Sequence, residues 1–176
     1  MRTLTVKKGS STGDFAPGWK LAKVRKASYG TLDNADNTKF MDVWFEKYPD
    51  TFNLRVYAKH SKVDNEEYAI GQVWRFSGQG VVESVDTQND NETIIKIDDS
   101  PENLVGASFW IYLYKNDEGY ARVLQRVAPD TFSNQVESFS ESDTEYWKGR
   151  HEKYFNDYVA VNLGSTVTDK TDEVPF

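Results

Sequence analysis

The chain has no cysteine among its 176 residues and only two histidines, His60 and His151. Without cysteine, it cannot form disulfides, thiolate zinc sites or cysteine nucleophiles. Neither histidine lies in a zinc-binding or catalytic motif, and no glycine-rich phosphate-binding loop is present. These absences predict a protein that is not an enzyme and that needs no metal and no other cofactor.

Long hydrophobic runs are also missing. Residues 1–8 contain no apolar stretch of the kind found in a signal peptide. No segment approaches the roughly 20 consecutive apolar residues that a membrane-spanning helix needs. We therefore expect a cytoplasmic protein without a membrane partner. Hydrophobic residues make up 38% of the chain and aromatic residues 14%, which predicts one globular domain with a substantial core.

Positive charge is scarce in total but is concentrated at one end of the chain. The formal net charge is −7. Residues 1–62 nevertheless carry 12 Lys and Arg against 6 Asp and Glu, whereas residues 63–105 carry 2 against 10. Because anion binding depends on the local charge of a surface, this distribution is compatible with a nucleic-acid partner.

The spacing of apolar residues predicts the secondary structure. The predicted strands are 19–29, 40–48, 52–59, 104–115 and 120–127, and the predicted helices are 66–77 and 142–158. A slip in the alternation near Ala22 indicates a bulge in the first strand. Asn65 is expected to cap the first helix, and Ser142 with Glu145 has the spacing of a capping box for the second.

Three strands, a helix and a final two-stranded hairpin follow the element order of an OB-type barrel, a fold that commonly binds single strands. We therefore predict a mainly β protein, an OB-like five-stranded barrel with one inserted helix and a C-terminal helix. The domain is expected to span residues 1–163, and residues 164–176 to form a disordered acidic tail. Short apolar runs at 81–85 and 93–97 have no assigned partners.

The outward strand faces mix aromatic and basic residues. In the third strand, Leu54 and Val56 face the predicted core, so Arg55, Tyr57 and Lys59 face outward. A sequence-tolerant binder of single strands combines aromatic rings, which stack bases, with Lys and Arg, which contact phosphates. The predicted DNA-binding residues are Lys20, Lys23, Arg25, Lys26, Trp44, Arg55, Tyr57, Lys59, Trp110, Tyr112, Tyr114, Arg122 and Arg126.

A second interpretation of Trp110, Tyr112 and Tyr114 stays open. The predicted C-terminal helix has an aromatic side of its own, which includes Trp147 and Phe155. If that side packs on the strand at 104–115, then Trp110, Tyr112 and Tyr114 are covered and stack no base.

The chain ends in an acidic segment with one large aromatic residue. Such a segment buries too little apolar area to order itself, so we expect it to bind another protein instead. Acidic side chains would attract a basic pocket and Phe176 would fill it. The predicted partner-binding residues are Asp169, Asp172, Glu173, Pro175 and Phe176.

The last five residues, Asp-Glu-Val-Pro-Phe, resemble the acidic Pro-Phe tip of bacterial single-stranded-DNA-binding proteins. Pro17-Gly18-Trp19 and Leu104-Val105-Gly106 are similar to residues that precede the first strand and the late hairpin in phage-type proteins of this class. The resemblance covers residues 17–128 and the tail. It implies a protein that coats single-stranded DNA in phage replication or recombination, in the host cytoplasm, and that recruits replication and recombination proteins through its tail.

Two other classes of function stay open. A carbohydrate-binding β-module also exposes aromatic residues, but it does not need interleaved Arg and Lys or an acidic tip ending in Phe. A virion structural protein would use the aromatic residues in an oligomer interface. The sequence leaves open whether the chain forms a homo-oligomer and whether it prefers RNA or DNA.

Overall fold

The structure is a computed structural model that describes residues 1–5, 14–89 and 91–163. It is mainly β with a C-terminal helix, as the sequence predicted. In chain order the elements are β1 (Gly18–Thr31), β2 (Lys39–Phe45), β3 (Asn53–Tyr57), α1 (Ala69–Ser77), β4 (Val81–Asp86), β5 (Thr93–Ile97), β6 (Ser108–Lys115), β7 (Ala121–Val123), β8 (Ala128–Pro129), β9 (Phe132–Ser133), β10 (Ser138–Phe139) and α2 (Glu141–Tyr154). A 3₁₀ turn at Pro101–Leu104 precedes β6.

The long first strand organises the main sheet, whose strand order is β3-β2-β1-β6-β7 with β8 also paired to β6. Residues 24–31 of β1 pair with β2, and residues 18–23 pair with β6. The bulge predicted near Ala22 lies between Val24 and Lys26, where β1 changes from one partner to the other. Because a bulge increases local bend and twist, the sheet curls at this point.

The curled sheet is a half-barrel. Its end strands, β3 and β7, are not hydrogen-bonded to each other. The predicted OB-like barrel of five strands is therefore not confirmed, although the antiparallel sheet and the C-terminal helix are. A separate hairpin, β4–β5, pairs the two runs that had no assigned partner, from Val81 opposite Ile97 to Asp86 opposite Thr93.

The core lies on the concave side of the half-barrel, where alternate strand residues point inward. Trp74 and Phe76 of α1 are buried in this core, and the Trp74 Nε1–H donates to the Tyr29 hydroxyl at 2.9 Å. Full burial of each large side chain contributes about 1.5–3 kcal/mol to folding. The most deeply buried strand residues of this core include Val24, Met41, Val43, Phe45, Leu54, Val56, Phe109, Ile111 and Leu113.

The first helix begins three residues later than predicted and has a different cap. Asn65 has φ 60°, so it lies outside the helix. The Glu67 carboxylate instead accepts hydrogen bonds from the backbone N–H groups of Ala69, Ile70 and Gly71, each at 2.9 Å. A carboxylate satisfies the free N–H groups and also favours the positive end of the helix dipole.

The capping box of α2 lies two residues before the predicted one, at Ser140 and Asp143. The Ser140 Oγ accepts from the Asp143 N–H at 3.3 Å, and the Asp143 Oδ2 accepts from the Ser140 N–H at 2.8 Å. After α2 the backbone widens into a π-helical turn at Phe155–Val159, and residues 160–163 are again α-helical. No helix of the described residues is long and apolar enough to cross a membrane.

Candidate functional site

The convex side of the half-barrel carries two outward faces, and the first is formed by the second half of β1 together with β2 and β3. Strand pairing arranges its residues in three rows across the strands. We call this surface the front face. Its rows are Lys26–Trp44–Asn53, Ser28–Asp42–Arg55 and Gly30–Phe40–Tyr57.

A buried carboxylate lies at the centre of the front face. Asp42 is 6% exposed and accepts two hydrogen bonds from Arg55, at 2.7 and 2.8 Å, and one from Asn53 at 3.1 Å. Such bidentate, charge-assisted pairs are strong and fix the guanidinium plane. The structure therefore gives Arg55 a stabilising role that its outward position on the strand did not predict.

Three half-buried aromatic rings surround this network. Phe40 lies against Gly30, where any side chain would clash with the ring, and the Arg55 guanidinium lies 3.8 Å above the ring centre. Tyr57 contacts Phe40 edge to face at 6.1 Å. The Trp44 Nε1–H donates to the Asp50 carbonyl at 3.0 Å, which holds the indole in place. The rings are thus positioned by neighbours on the same face or in the β2–β3 turn.

The cations near the front face differ in their partners. Among the predicted DNA-binding residues of β1, Lys20 pairs with Asp14 at 2.6 Å, Lys23 with Glu46 at 3.9 Å, and Arg25 with Asp50. Lys26 instead lies 4.7 Å above the Trp44 ring. Within the described part of the chain, no ion pair engages Lys26, Lys39, Lys59 or Arg122.

The second outward face belongs to the first half of β1 and to β6, and the C-terminal helix covers it. We call it the covered face. The Phe155 ring lies 5.0 Å from Tyr112 and 5.1 Å from Tyr114, and Lys148 Nζ lies 3.4 Å above the Trp110 ring. Burial raises the pKa of both tyrosine hydroxyls. The alternative in which the helix covers these three aromatics is therefore confirmed, and Arg126 likewise stacks on Tyr154 of that helix at 4.2 Å.

A cleft of about 260 Å³ separates the two end strands of the half-barrel. We call this cleft the seam. It brings together four of the predicted DNA-binding residues, Arg55 and Tyr57 from β3, Tyr114 from β6 and Arg122 from β7. Arg122 is exposed, whereas Tyr114 also contacts the C-terminal helix.

Several residues of the front face and the seam were not among the predicted site residues, including Phe40, Asp42, Asn53 and Gln125. Phe40 and Asn53 alternate with core residues on β2 and β3, so the period of two that identified Trp44 and Arg55 also applies to them. Gln125 lines the seam just after β7 ends, and no sequence pattern distinguishes it. The predicted partner-binding residues, Asp169, Asp172, Glu173, Pro175 and Phe176, lie outside the described residues.

The histidine on α2, His151, is buried and hydrogen-bonded to the backbone. His151 is 2% exposed, and its Nδ1 lies 2.8 Å from the Val127 carbonyl. Since a carbonyl only accepts, Nδ1 carries the proton. Burial lowers the pKa of His151 to about 4. Among residues 1–5, 14–89 and 91–163, no group of three or more His, Asp or Glu is placed to hold a metal ion.

Comparison with known proteins adds no relative. The chain has no significant match among protein-family models, curated proteins or solved structures.

Proposed function

We propose that this chain is a non-enzymatic protein that binds single-stranded DNA with little sequence preference through its front face. The observation that carries the proposal is the combination of half-exposed aromatic residues, held in place by their neighbours, with Lys26 and Lys59, which form no ion pair among the described residues. Each ring that stacks a base would contribute about 1–3 kcal/mol. In this proposal Trp44 and Tyr57 stack bases, and Lys26 and Lys59 contact phosphates. Phe40 supports the Arg55 guanidinium, which covers its ring and presents a flat cationic surface.

The arrangement favours a single strand over a duplex. In a duplex the base faces are stacked on one another, so the rings of the front face would have no flat surface to contact. A single strand presents base faces and phosphates together, and both kinds of partner are found on this face. Arg55 contributes through its fixed position over Phe40, with the N–H groups that Asp42 does not occupy.

We also infer that the half-barrel is an OB-type barrel that is open between β3 and β7. The support is the order of elements in the main sheet: three antiparallel strands and a helix are followed, after the separate β4–β5 hairpin, by β6 and β7, and β6 pairs back to β1. OB-type barrels commonly present the β2–β3 surface to oligonucleotides, and this is the surface formed by the front face.

The acidic total charge does not oppose this proposal. Residues 63–105, which hold much of the negative charge, include the β4–β5 hairpin, and that hairpin is not part of the main sheet. The front face itself carries Lys26 and Arg55 with only the buried Asp42. Local charge governs phosphate binding at the ionic strength of a cell, where charges more than about 8 Å away are screened.

The biological setting is proposed from the resemblance of the chain end. We propose that the protein coats single-stranded DNA in phage replication or recombination. Asp169, Asp172, Glu173, Pro175 and Phe176 would then recruit replication or recombination proteins. Removal of residues 165–176 should abolish pull-down of such partners, and removal of Phe176 alone should have nearly the same effect. If the truncated protein keeps every partner, the tail has no recruiting role.

Fluorescence titration with dT oligonucleotides at two salt concentrations tests the main proposal. Binding should quench tryptophan emission, and log affinity should fall with log salt by about 0.7 per phosphate contact. The quenching should be lost in Trp44→Phe and retained in Trp19→Phe, because Trp19 lies on the covered face and contacts Tyr112 at 5.1 Å.

Three results would overturn the proposal. Equal affinity for duplex DNA would contradict stacking, and the absence of a salt slope would contradict phosphate contacts. Salt-independent binding of a neutral oligosaccharide to the same face would favour a carbohydrate-binding module.

A further inference from the structure

The seam is bordered by two strand edges whose backbone groups face each other. On β3, the Ala58 N–H donates to the Lys39 carbonyl at 2.8 Å, so the alternation of an antiparallel pair turns the N–H and C=O groups of Arg55 and Tyr57 away from β2. On β7, the Leu124 N–H donates to the Tyr112 carbonyl at 2.9 Å. The same alternation turns the backbone of Val123 away from β6.

The residues identified by this alternation are among those that line the cleft. They are Asn53, Arg55 and Tyr57 on the β3 side, and Ala121, Val123 and Gln125 on the β7 side. Backbone donors and acceptors therefore project into the seam from both walls. Side-chain amides from Asn53 and Gln125 add further hydrogen-bonding groups.

The width of the seam limits what can enter it. Paired antiparallel strands have Cα atoms about 4.5–5.5 Å apart, and an inserted strand needs roughly 10 Å between the strands that flank it. Cα atoms of β3 and β7 approach within 8 Å without hydrogen bonding. At its closest approach the gap is thus narrower than an inserted strand requires, while the cleft volume of about 260 Å³ far exceeds the roughly 10–15 Å³ of space that holds one water.

A flat ligand with hydrogen-bonding edges fits these limits, and the surroundings add an aromatic and a cationic partner. Tyr57 and Tyr114 present rings at the cleft, and the exposed Arg122 lies at its border. Arg122 also lines a wider adjoining cleft of about 610 Å³, so the seam continues past it. At its other end, Arg55 and Tyr57 belong to the front face.

We propose that the seam is a single-nucleotide subsite of the DNA-binding surface. One base of the bound strand leaves the stack on the front face and enters between β3 and β7. Its edge bonds to the free backbone and amide groups, its ring contacts Tyr57, and Arg122 holds the adjacent phosphate. This subsite rests on the proposed function, because the strand must first lie on the front face.

Backbone amide signals provide a direct test. In the ¹⁵N-labelled full chain, a dT oligonucleotide should shift and protect from hydrogen exchange the amides of Arg55, Tyr57 and Val123. The amides of Leu54 and Val56, which point toward β2, are the internal control and should change little. An abasic strand of equal length supplies phosphates without bases and should leave the seam amides unaffected.

The outcomes separate the subsite from the wider function. If the oligonucleotide quenches Trp44 but the seam amides do not respond, the subsite is wrong and the front-face interface stands. If no oligonucleotide binds, both proposals fail. If thymidine monophosphate alone binds as tightly as the oligonucleotide, the seam takes free nucleotides and is not a strand subsite.

Arg122→Ala tests the phosphate contact by an independent route. It should weaken oligonucleotide binding about tenfold and reduce the salt slope by about 0.7. Lys96→Ala is the charge-matched control, because Lys96 lies on the β4–β5 hairpin, paired with Glu83 at 3.2 Å. Equal behaviour of the two variants would overturn the assignment of Arg122.

Discussion

The two outward faces of the half-barrel are alike in sequence and different in their surroundings. The front face carries Phe40, Trp44 and Tyr57, and the covered face carries Tyr112 and Tyr114, in each case at alternate positions of a strand. On the covered face, Phe155 packs against both tyrosines. Among the described residues, no helix side chain makes a ring or polar contact with the front-face aromatics.

The difference teaches that an outward aromatic residue has two uses. On the covered face, the aromatic rings of β6 pack against the C-terminal helix and contribute to the stability of the fold. On the front face, the rings are held by contacts with nearby residues. Phe40 lies against Gly30, and Asp42 fixes the Arg55 guanidinium above the Phe40 ring. Part of the surface of these rings stays exposed. The two faces should therefore respond oppositely to substitution, the covered face in stability and the front face in binding.

The largest effect is expected for Phe155→Ala. Phe155 is 9% exposed, and its loss leaves a cavity above Tyr112 and Tyr114. The free energy of unfolding should fall by about 3–5 kcal/mol, measured by urea denaturation. Tyr158→Ala is the control, because Tyr158 is 64% exposed and its loss should change stability by less than about 0.5 kcal/mol. A neutral Phe155→Ala would show that the helix does not hold the covered face.

A pH dependence of stability should come from His151, which anchors α2 to the core. Burial lowers its folded-state pKa to about 4 from an ordinary value of 6.5. Between these values the unfolded chain binds a proton that the folded chain does not, so stability decreases as pH falls from about 6.5 to about 4. Protonation of His151 should lower the free energy of unfolding by about 3 kcal/mol in total, and this decrease should not grow further below pH 4.

His151→Gln isolates this contribution, because glutamine keeps an N–H donor for the Val127 carbonyl but does not titrate. The difference in unfolding free energy between the natural protein and the variant should shrink as the pH is lowered. A difference that stays constant from pH 7 to pH 4 would contradict the buried neutral imidazole.

Arg55→Ala should affect both stability and binding, which would sharpen the description of the front face. Loss of the guanidinium leaves the carboxylate of Asp42 buried without its main partner, at a cost of about 2 kcal/mol in unfolding free energy. The double variant Asp42→Ala/Arg55→Ala should be less destabilised than the sum of the two single variants. Strict additivity in a denaturation cycle would mean that the pair is not coupled.

The smallest effect on stability and a clear effect on binding are expected for Tyr57→Ala. Its ring contacts Phe40 at the edge of the front face, so its loss should lower unfolding free energy by less than about 1 kcal/mol. The affinity for dT oligonucleotides should fall by about 1–3 kcal/mol. Tyr146→Ala, an exposed tyrosine on α2, should bind normally. Unchanged binding by Tyr57→Ala would remove this ring from the interface.

Part of the fold follows from local patterns. Residues such as Leu54 and Val56 alternate with Arg55, and this period of two identified the buried side of β3 correctly. The predicted helix boundaries were less accurate, because several residues near each end of a helix can act as its cap. Ser142 with Glu145 has the spacing of a capping box, but the buried Phe139 before Ser140 sets where the chain enters α2.

The candidate site was only partly predictable. The front-face residues Trp44, Arg55 and Tyr57 were found because outward direction depends on strand period alone. The seam was not found, because it forms where two strands far apart in the chain fail to pair. Gln125 belongs to the site through its place beside β3, which no local pattern records.

The sequence by itself determined which side chains point inward and which outward, because the geometry of a strand alternates and apolar residues leave water. Only the tertiary structure decided which outward rings are covered. That choice depends on contacts between β6 and a helix that begins at Glu141, and the free energy of such contacts comes from packing across the fold. An aromatic residue on a strand carries the same local signal whether a helix or a ligand lies above it.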